Sequence, residues 1–398
     1  MPSDRVKVPA KKKRPKQRNR PFSLLIKPAS ADCNLRCAYC FYLEKGSLYP
    51  DTPTHRMSGD VLELLVRAYM STIQPVYSFG WQGGEPTLMG AEFFRKVTEL
   101  QRRYGRPGNK VANGLQTNGT LIDDELAEHL ARFKFLVGVS IDGDKEIHDR
   151  YRTGGGTGGG SYDRVLDGIE CLERHGVQFN GLVLVSRANI DAPERVYDHL
   201  NELGIRHHQY IPCVESAPDG SPLPWSITGV EWGDFLVRLF DRWYSRDVSR
   251  VSIRNFDAVV NRLGGHPAAL CSIGRSCSDY FVIEHNGDVY PCDFFVRSEL
   301  KLGNILFDSL TDLRSSSTYR SFARRKSEWP SECGKCEYLF LCAGDCLKHR
   351  PDIGIPKASP AVEAAETGGP VSVLCEGWKR FYLMCLPRFE HLSEGFRG

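Results

Sequence analysis

Three cysteines fall within eight residues, Cys33-Asn-Leu-Arg-Cys37-Ala-Tyr39-Cys40. Three thiolates so close cannot complete a tetrahedral zinc site, which takes four ligands. They can hold three irons of a [4Fe–4S] cluster and leave the fourth iron open to a substrate or cofactor. A zinc site closed by a distant ligand, or a set of reactive free thiols, is the other chemistry this spacing permits. A second group stands far downstream: Cys271-x5-Cys277-x14-Cys292, then Cys333-x2-Cys336-x5-Cys342-x3-Cys346, then Cys375. Eight thiolates are enough for two four-ligand sites, and their spacing alone suits iron–sulfur clusters and zinc ribbons equally. Cys171 on a helical stretch, Cys213 after a strand and Cys385 in an apolar run read as packed thiols, which behave as small hydrophobes.

The elements that must position these groups show in the periodicity. From Phe22 to about Asp247, β-rich runs alternate with amphipathic stretches. The runs Phe22–Lys27, Val76–Trp81, Val111–Gln116, Phe135–Ile141, Val177–Val185 and His207–Ile211 predict strands. Between them Asp60–Ile73, Ala91–Tyr104, Asp123–Phe133, Tyr162–His175 and Ala192–Leu203 predict helices, and Glu231–Arg246 predicts a sixth. Ser58 and Ser161 are expected helix N-caps. Six βα units in succession imply parallel strands with right-handed crossovers, as an open sheet or a partial barrel. Helical periodicity then fades, and nine of the 14 cysteines lie between Cys271 and Cys385. There Tyr280–Glu284 and Asp288–Tyr290 flank His285-Asn286-Gly287, the signature of a hairpin. The expected organisation is a basic tail over 1–20, a parallel α/β unit over 21–248, a linker over 249–270, a cysteine-rich unit over 271–390 and a terminal tail over 391–398. The Gly-rich run Thr153–Gly160 reads as a flexible loop without a phosphate-binding Lys-Ser or Lys-Thr, and Ala358–Pro370 as a surface excursion.

Three further motifs fall at the carboxyl ends of predicted strands: Gly83-Gly84-Glu85-Pro86, Gln116-Thr117-Asn118-Gly119 and Ser140-Ile141-Asp142-Gly143. Parallel α/β folds assemble their sites at that end. With Cys-x3-Cys-x-Tyr-Cys after the first strand, the chain resembles the radical S-adenosylmethionine (SAM) enzymes, and its downstream cysteines resemble their SPASM extension. The implied fold is a partial (β/α)6 barrel followed by a domain with two auxiliary [4Fe–4S] clusters, which makes three clusters with the first. The resemblance makes Cys33, Cys37 and Cys40 ligands of the SAM-binding cluster. It makes Cys271, Cys277, Cys292 and Cys346 the first auxiliary set, and Cys333, Cys336, Cys342 and Cys375 the second. Tyr39, Gly83, Gly84, Glu85, Ser140 and Arg164 are the implied SAM contacts: glycines admit a ligand to the backbone, Glu85 would neutralise the amino group, and Ser140 and Arg164 would bind the carboxylate.

The closer resemblance is to the anaerobic sulfatase-maturating enzymes, carried by Cys40-Phe41-Tyr42, Trp81-Gln82-Gly83-Gly84-Glu85-Pro86-Thr87-Leu88, Gln116-Thr117-Asn118-Gly119-Thr120, His148-Asp149-x-x-Arg152 and Pro291-Cys292-Asp293. It implies oxidation of one Cys or Ser of a sulfatase, in a Cys-x-Pro-x-Arg or Ser-x-Pro-x-Arg segment, to Cα-formylglycine. A 5′-deoxyadenosyl radical would take a hydrogen from the β-carbon, Asp293 would accept the thiol or hydroxyl proton, and the auxiliary clusters would take the second electron. Tyr42 and Gln82 would touch the target residue and Gln116 the peptide backbone. Flavodoxin or ferredoxin is the expected electron donor and a monomer the expected state. The rival reading is a SPASM enzyme that cross-links or epimerises a ribosomally made peptide. Many of these begin with a leader-binding domain, for which about 20 residues before the first strand leave too little chain.

Composition agrees with these expectations. The chain has 398 residues, 41% hydrophobic and 25% charged, enough for a large core without disulfides. Residues 1–20 hold nine Lys and Arg against Asp4, leaving −5 for the rest of a chain whose total is +3. The expected body is therefore mildly acidic; a non-enzymatic zinc protein that uses the basic tail to bind nucleic acid would leave the cysteine triad and Gly83-Gly84-Glu85-Pro86 unexplained. An apolar signal segment is lacking and no run approaches the ~20 apolar residues of a membrane span, so the expected location is the cytoplasm, with no membrane partner and reduced thiols.

Overall fold

The protein is described here by a computed structural model covering residues 20–155, 158–267, 270–351 and 370–395. The expected basic tail, most of the 358–370 excursion and the last three residues lie outside the described residues. The first half alternates β1 (Ser23–Lys27), α1 (Gly59–Met70), β2 (Tyr77–Trp81), α2 (Gly90–Tyr104), β3 (Val111–Thr117), α3 (Asp124–Arg132), β4 (Leu136–Ser140), a short α4 (Lys145–Asp149), α5 (Tyr162–Arg174), β5 (Gln178–Val185), α6 (Pro193–Glu202), β6 (His207–Pro212) and α7 (Gly229–Arg246). The six strands pair in parallel in chain order. Alternation sorts their side chains into two faces. Leu24, Ile26, Phe79, Trp81, Leu115, Val137, Val139, Val183 and Val185 pack into one core beneath the helices. Leu25, Lys27, Gln116 and Ser140 therefore point to the opposite face.

Capping follows the expected chemistry with one exception. Ser58 Oγ accepts from Val61 N at 3.3 Å and Asp123 Oδ1 from Leu126 N at 2.8 Å, and Thr228 with Glu231 forms a capping box on α7. Ser161 does not cap α5. Its hydroxyl donates to the Arg152 carbonyl at 2.8 Å and meets His148 Nε2 at 2.9 Å. Asp149 caps instead, its Oδ1 accepting from Ser161 N at 2.8 Å and Tyr162 N at 2.9 Å.

The second half is joined to the first more closely than its sequence suggests. Residues 249–270, read as a linker, contain β7 (Ser252–Ile253), parallel to β6, and α8 (Arg254–Leu263). The expected hairpin strands β8 (Tyr280–Glu284) and β9 (Asp288–Tyr290) form around a turn whose Gly287 has φ +88°. β8 lies parallel to β1, from Ser23 opposite Tyr280 to Lys27 opposite Glu284. With β10 (Gly303–Asn304) the order is β10-β9-β8-β1-β2-β3-β4-β5-β6-β7, a single ten-stranded sheet. The helices α9 (Leu310–Ser315), α10 (Ser317–Arg325), α11 (Ser331–Gly334) and α12 (Leu339–Cys342) are short. The last helix, α13 (Cys375–Gly395), returns to the first half and continues into the stretch read as a terminal tail. Its Phe389 ring lies 4.5 Å from that of Phe240 on α7. The two helices approach so closely that a Cβ at Gly233 would stand 2.7 Å from Gly377 Cα.

Candidate active site

The loop after β1 delivers the cysteine triad. Arg36 N and Ala38 N donate to the carbonyls of Thr153 and Tyr151, each at 2.9 Å, and Cys40 N closes a turn on Cys37 O at 3.0 Å. The sulfur of Cys33 accepts from Leu35 N at 3.3 Å and faces Asn118 Nδ2 at 3.6 Å, so the Gln116–Gly119 motif reaches the triad. Burial pushes the Cys33 thiol up to about 12, and it raises Cys37 in the same direction. A thiol must lose its proton to serve as a metal ligand, so binding there would release protons.

The Gly83-Gly84-Glu85 loop is locked onto the triad loop. Gly84 N donates to Ser30 O at 2.6 Å and Glu85 N to Asp32 O at 2.8 Å. A Cβ on Gly84 would overlap the Asp32 carbonyl, and one on Gly83, where φ is +146°, would lie 2.9 Å from Ser30 O. Contact between the two loops thus demands these glycines. Glu85 is completely buried. Its Oε1 accepts from Thr87 N at 2.9 Å, Thr87 Oγ1 at 2.6 Å and Thr117 Oγ1 at 2.8 Å, and its Oε2 from Asn118 N at 2.7 Å. The carboxylate expected to meet an amino group also ties the ends of β2 and β3 together.

Tyr39 is buried with its hydroxyl bonded to Asp142 and accepting from Arg152 Nη1 at 2.9 Å. Asp142 Oδ1 in turn accepts from Leu184 N at 3.0 Å. Tyr42 is buried too, its hydroxyl donating to the Glu284 carboxylate. Burial, followed by the Glu284 charge, raises Tyr42 well above the usual phenol range. Asp293, next to Cys292, forms an ion pair with Lys27 and accepts from Gln82 Nε2 at 3.4 Å. The Lys27 ammonium lies 4.2 Å from the centre of the Tyr42 ring. Buried Asp293 and Tyr42 and half-buried Gln82 therefore form one group. Gln116 and Ser140 are half-buried on the same face of the sheet, further round on β3 and β4. Arg164 is exposed in the first turn of α5, outside the group.

Sequence reasoning missed Lys27 and Glu284. Both were legible in one respect: each is a charge ending an otherwise apolar strand, Ser-Leu-Leu-Ile-Lys27 and Tyr-Phe-Val-Ile-Glu284. Their meeting was not, because it depends on β8 pairing with β1 across more than 250 residues.

The downstream cysteines separate in space as well. Cys333, Cys336, Cys342 and Cys375 line one cavity, together with Asp345, Ser372, Trp378 and Tyr382. The Cys292 thiol is raised by burial and then by the neighbouring Cys346, Cys277 and Cys271. All 14 cysteines are free. Four thiolates on one zinc would stand about 3.8 Å apart, given a zinc–sulfur bond of about 2.3 Å. Among the described residues, the group of three or more Cys, His, Asp or Glu whose ligand atoms all lie within 4.8 Å is Asp124, Cys171 and His175, and Asp124 already accepts from Arg174 at 2.6 Å. The eleven cysteines of the three sets are spread more widely, which suits ligands of several irons rather than of one ion. Cys213 is buried against Leu35, Cys37 and Tyr39, and Cys385 is buried in the α13 core.

Comparison with known proteins agrees with this geometry. The radical SAM superfamily profile matches residues 28–200, and that of an iron–sulfur cluster-binding domain, SPASM, matches residues 271–337. The serine-type anaerobic sulfatase-maturating enzyme of Bacteroides thetaiotaomicron is 34% identical over 393 residues, covering 94% of this chain and 92% of that protein. A cysteine-type enzyme of Clostridium perfringens is also 34% identical, over 95% of this chain and 100% of its own. The solved structure of native anSMEcpe with bound AdoMet and Cp18Cys peptide superposes with a TM-score of 0.84 at 34% identity, over 95% of this chain and 100% of that one. Streptococcus suis SuiB bound to precursor peptide SuiA shares the fold, with a TM-score of 0.61 at 18% identity over 82% of this chain and 72% of its own. This chain belongs to the anaerobic sulfatase-maturating enzymes of the radical SAM superfamily, with a SPASM iron–sulfur domain following its parallel-stranded core.

Proposed function

We propose that this enzyme oxidises a Cys or Ser side chain in a sulfatase, within a Cys-x-Pro-x-Arg or Ser-x-Pro-x-Arg segment, to Cα-formylglycine. The observation that carries the reading is the buried carboxylate of Asp293. It adjoins the ligand Cys292 and is gripped by residues from the ends of β1 and β2, beside the loop that bears the triad. Cys33, Cys37 and Cys40 would hold the cluster that, together with SAM, would supply homolytic removal of a β-hydrogen, and the eight downstream cysteines would hold two further clusters as a sink for the second electron.

The chain's own residues do the rest. Asp293 accepts the thiol or hydroxyl proton of the target, for which its oxygens must lie within hydrogen-bond reach. Lys27 and Gln82 fix the direction of that carboxylate, and Tyr42, anchored on Glu284, forms the wall beneath the Lys27 ammonium. Gln82 and Tyr42 turn toward the target residue and Gln116 toward its backbone. Gly83 and Gly84 let the loop approach SAM through its backbone, and Glu85, which secures that loop, neutralises the SAM amino group. Tyr39, Ser140 and Arg164 complete the cofactor contacts. A target Ser gives the aldehyde directly, whereas a target Cys gives a thioaldehyde that water converts with release of sulfide. The setting is an oxygen-poor cytoplasm, with a flavodoxin or ferredoxin as donor and the enzyme as a monomer.

The test is an anaerobic assay with SAM, a reductant and peptides carrying either segment, followed by mass spectrometry. The expected result is 5′-deoxyadenosine together with a peptide of aldehyde mass. Absence of both products with fully iron-loaded protein would overturn the reading.

A further inference from the structure

Between the two four-cysteine sets lies a group of buried charges that the reaction above does not use. Lys326 directly follows α10 and is completely buried, and Arg350 is nearly so. The Lys326 ammonium donates to the carbonyl of Ser272 at 2.7 Å and to that of Asp345. These carbonyls belong to the neighbours of Cys271 and Cys346, so one side chain joins the segments that deliver the first and last ligands of a set. Arg350 also donates to carbonyls, those of Gly344 at 2.8 Å and Lys326 at 3.1 Å among them. The carboxylate of Asp345 is directed elsewhere: Oδ2 meets His349 Nδ1 at 2.8 Å and accepts from Ser372 Oγ at 2.6 Å. Among the described residues, no carboxylate oxygen stands within the 4.0 Å ion-pairing distance of the Lys326 ammonium.

Lys326 and Arg350 bring two positive charges against the one carboxylate of Asp345, which acts on the ammonium without hydrogen-bonding it, and carbonyl dipoles replace only part of the lost hydration. The compensating charge has a candidate close by, since the carbonyls that hold the Lys326 ammonium belong to the chain neighbours of Cys271 and Cys346, and Cys277 N donates to Ala323 O at 3.4 Å, three residues before Lys326. Four thiolates around a four-iron core form a net anion, and reduction adds one more negative charge. A fixed cation beside it therefore favours the reduced form.

We propose that Lys326 is the counter-ion of the cluster held by Cys271, Cys277, Cys292 and Cys346, and that its buried charge raises that cluster's reduction potential so that it takes the electron leaving the substrate. The proposal rests on the ligand sets given under the proposed function. In the step concerned, the substrate has already lost a hydrogen atom and a proton. It gives up one electron, and the cluster is reduced by one.

The experiment is an EPR-monitored redox titration of the full-length, anaerobically reconstituted protein. Cys33, Cys37 and Cys40 are replaced by Ala so that only the auxiliary signals remain. The signal of interest is the one that survives Cys375→Ala. Lys326→Met is expected to keep its iron and to shift the midpoint of that signal to more negative potential, while Lys326→Arg keeps both iron and midpoint. An unmoved midpoint in iron-replete Lys326→Met, or a shift confined to the other signal, overturns the proposal. If Lys326→Met cannot hold the cluster, retention in Lys326→Arg supports a requirement for charge, and loss in both variants overturns it. Iron analysis of the unaltered enzyme separates the two levels: about four irons per chain instead of about twelve refutes the ligand sets themselves, whereas twelve with an unmoved midpoint refutes Lys326 alone.

Discussion

The carboxylate of Asp293 is held from two sides, by the ammonium of Lys27 at the end of β1 and by the amide of Gln82 after β2. As the proposed base, a carboxylate placed in this way would need no conformational search to meet a proton presented over the sheet. Asp293→Asn keeps the shape and removes the proton acceptor. SAM cleavage should continue, while aldehyde formation falls by about a hundredfold, within the usual range for a general base. Counting 5′-deoxyadenosine against aldehyde peptide in one reaction checks this, and equal yields at the normal rate would remove Asp293 from the mechanism. Asp293 itself was readable in the sequence because it adjoins a motif cysteine. Lys27 was not, since its partner stands 266 positions away in the chain.

At the scale of elements, the six βα units were legible almost residue by residue, because an apolar period of two or of 3.6 is a local property. The close packing of the loops was not. The Gly83-Gly84 pair announces a tight approach, but the sequence does not say whether the neighbour is ligand or protein. Here it is the Asp32 carbonyl. Gly84→Ala should therefore destabilise the enzyme by about 2–4 kcal/mol and speed hydrogen exchange in the triad loop. Gly59→Ala, where an added Cβ would meet nothing within 4 Å, is the control and should be neutral. Similar melting of both variants would show that the contact carries no strain. Strand β6 offers a second test. Burial holds the His208 imidazole down to about 4, with Nε2 at 3.0 Å from the Ile205 carbonyl and Nδ1 at 3.2 Å from the Tyr210 hydroxyl. Its folded pKa is below the unfolded value of about 6.5, so the unfolded chain binds the proton first on acidification. The stability this histidine gives at neutral pH is then lost as pH falls through 6.5 toward 4, by about 1 kcal/mol between pH 7 and 5.5. His208→Gln should flatten the pH dependence of denaturant unfolding by that amount, and an unchanged slope would show that His208 does not titrate in this way.

The whole molecule joins its cysteine-bearing segments to one continuous apolar sheet. β8 continues the parallel sheet, and Phe381 and Phe389 of α13 pack on Phe240 of α7 and Phe256 of α8, contacts that need no iron. The cysteine segments differ. α11 and α12 have four residues each, well below the length at which a helix persists by itself, and the cavity they line contains Cys333, Cys336, Cys342 and Cys375. Cys375 begins α13, so ligands held together there would tie this short-helix region to the long helix. A metal bound there would contribute folding free energy locally. Anaerobic removal of iron by a chelator should therefore raise hydrogen exchange strongly in residues 331–346 and 271–278. The strands Ser23–Lys27, Tyr77–Trp81 and Val111–Thr117 should remain protected, because their opening is governed by the apolar core of the sheet. Equal loss of protection in both halves would mean that the clusters support the entire fold, and that the continuous sheet does not isolate the core from them.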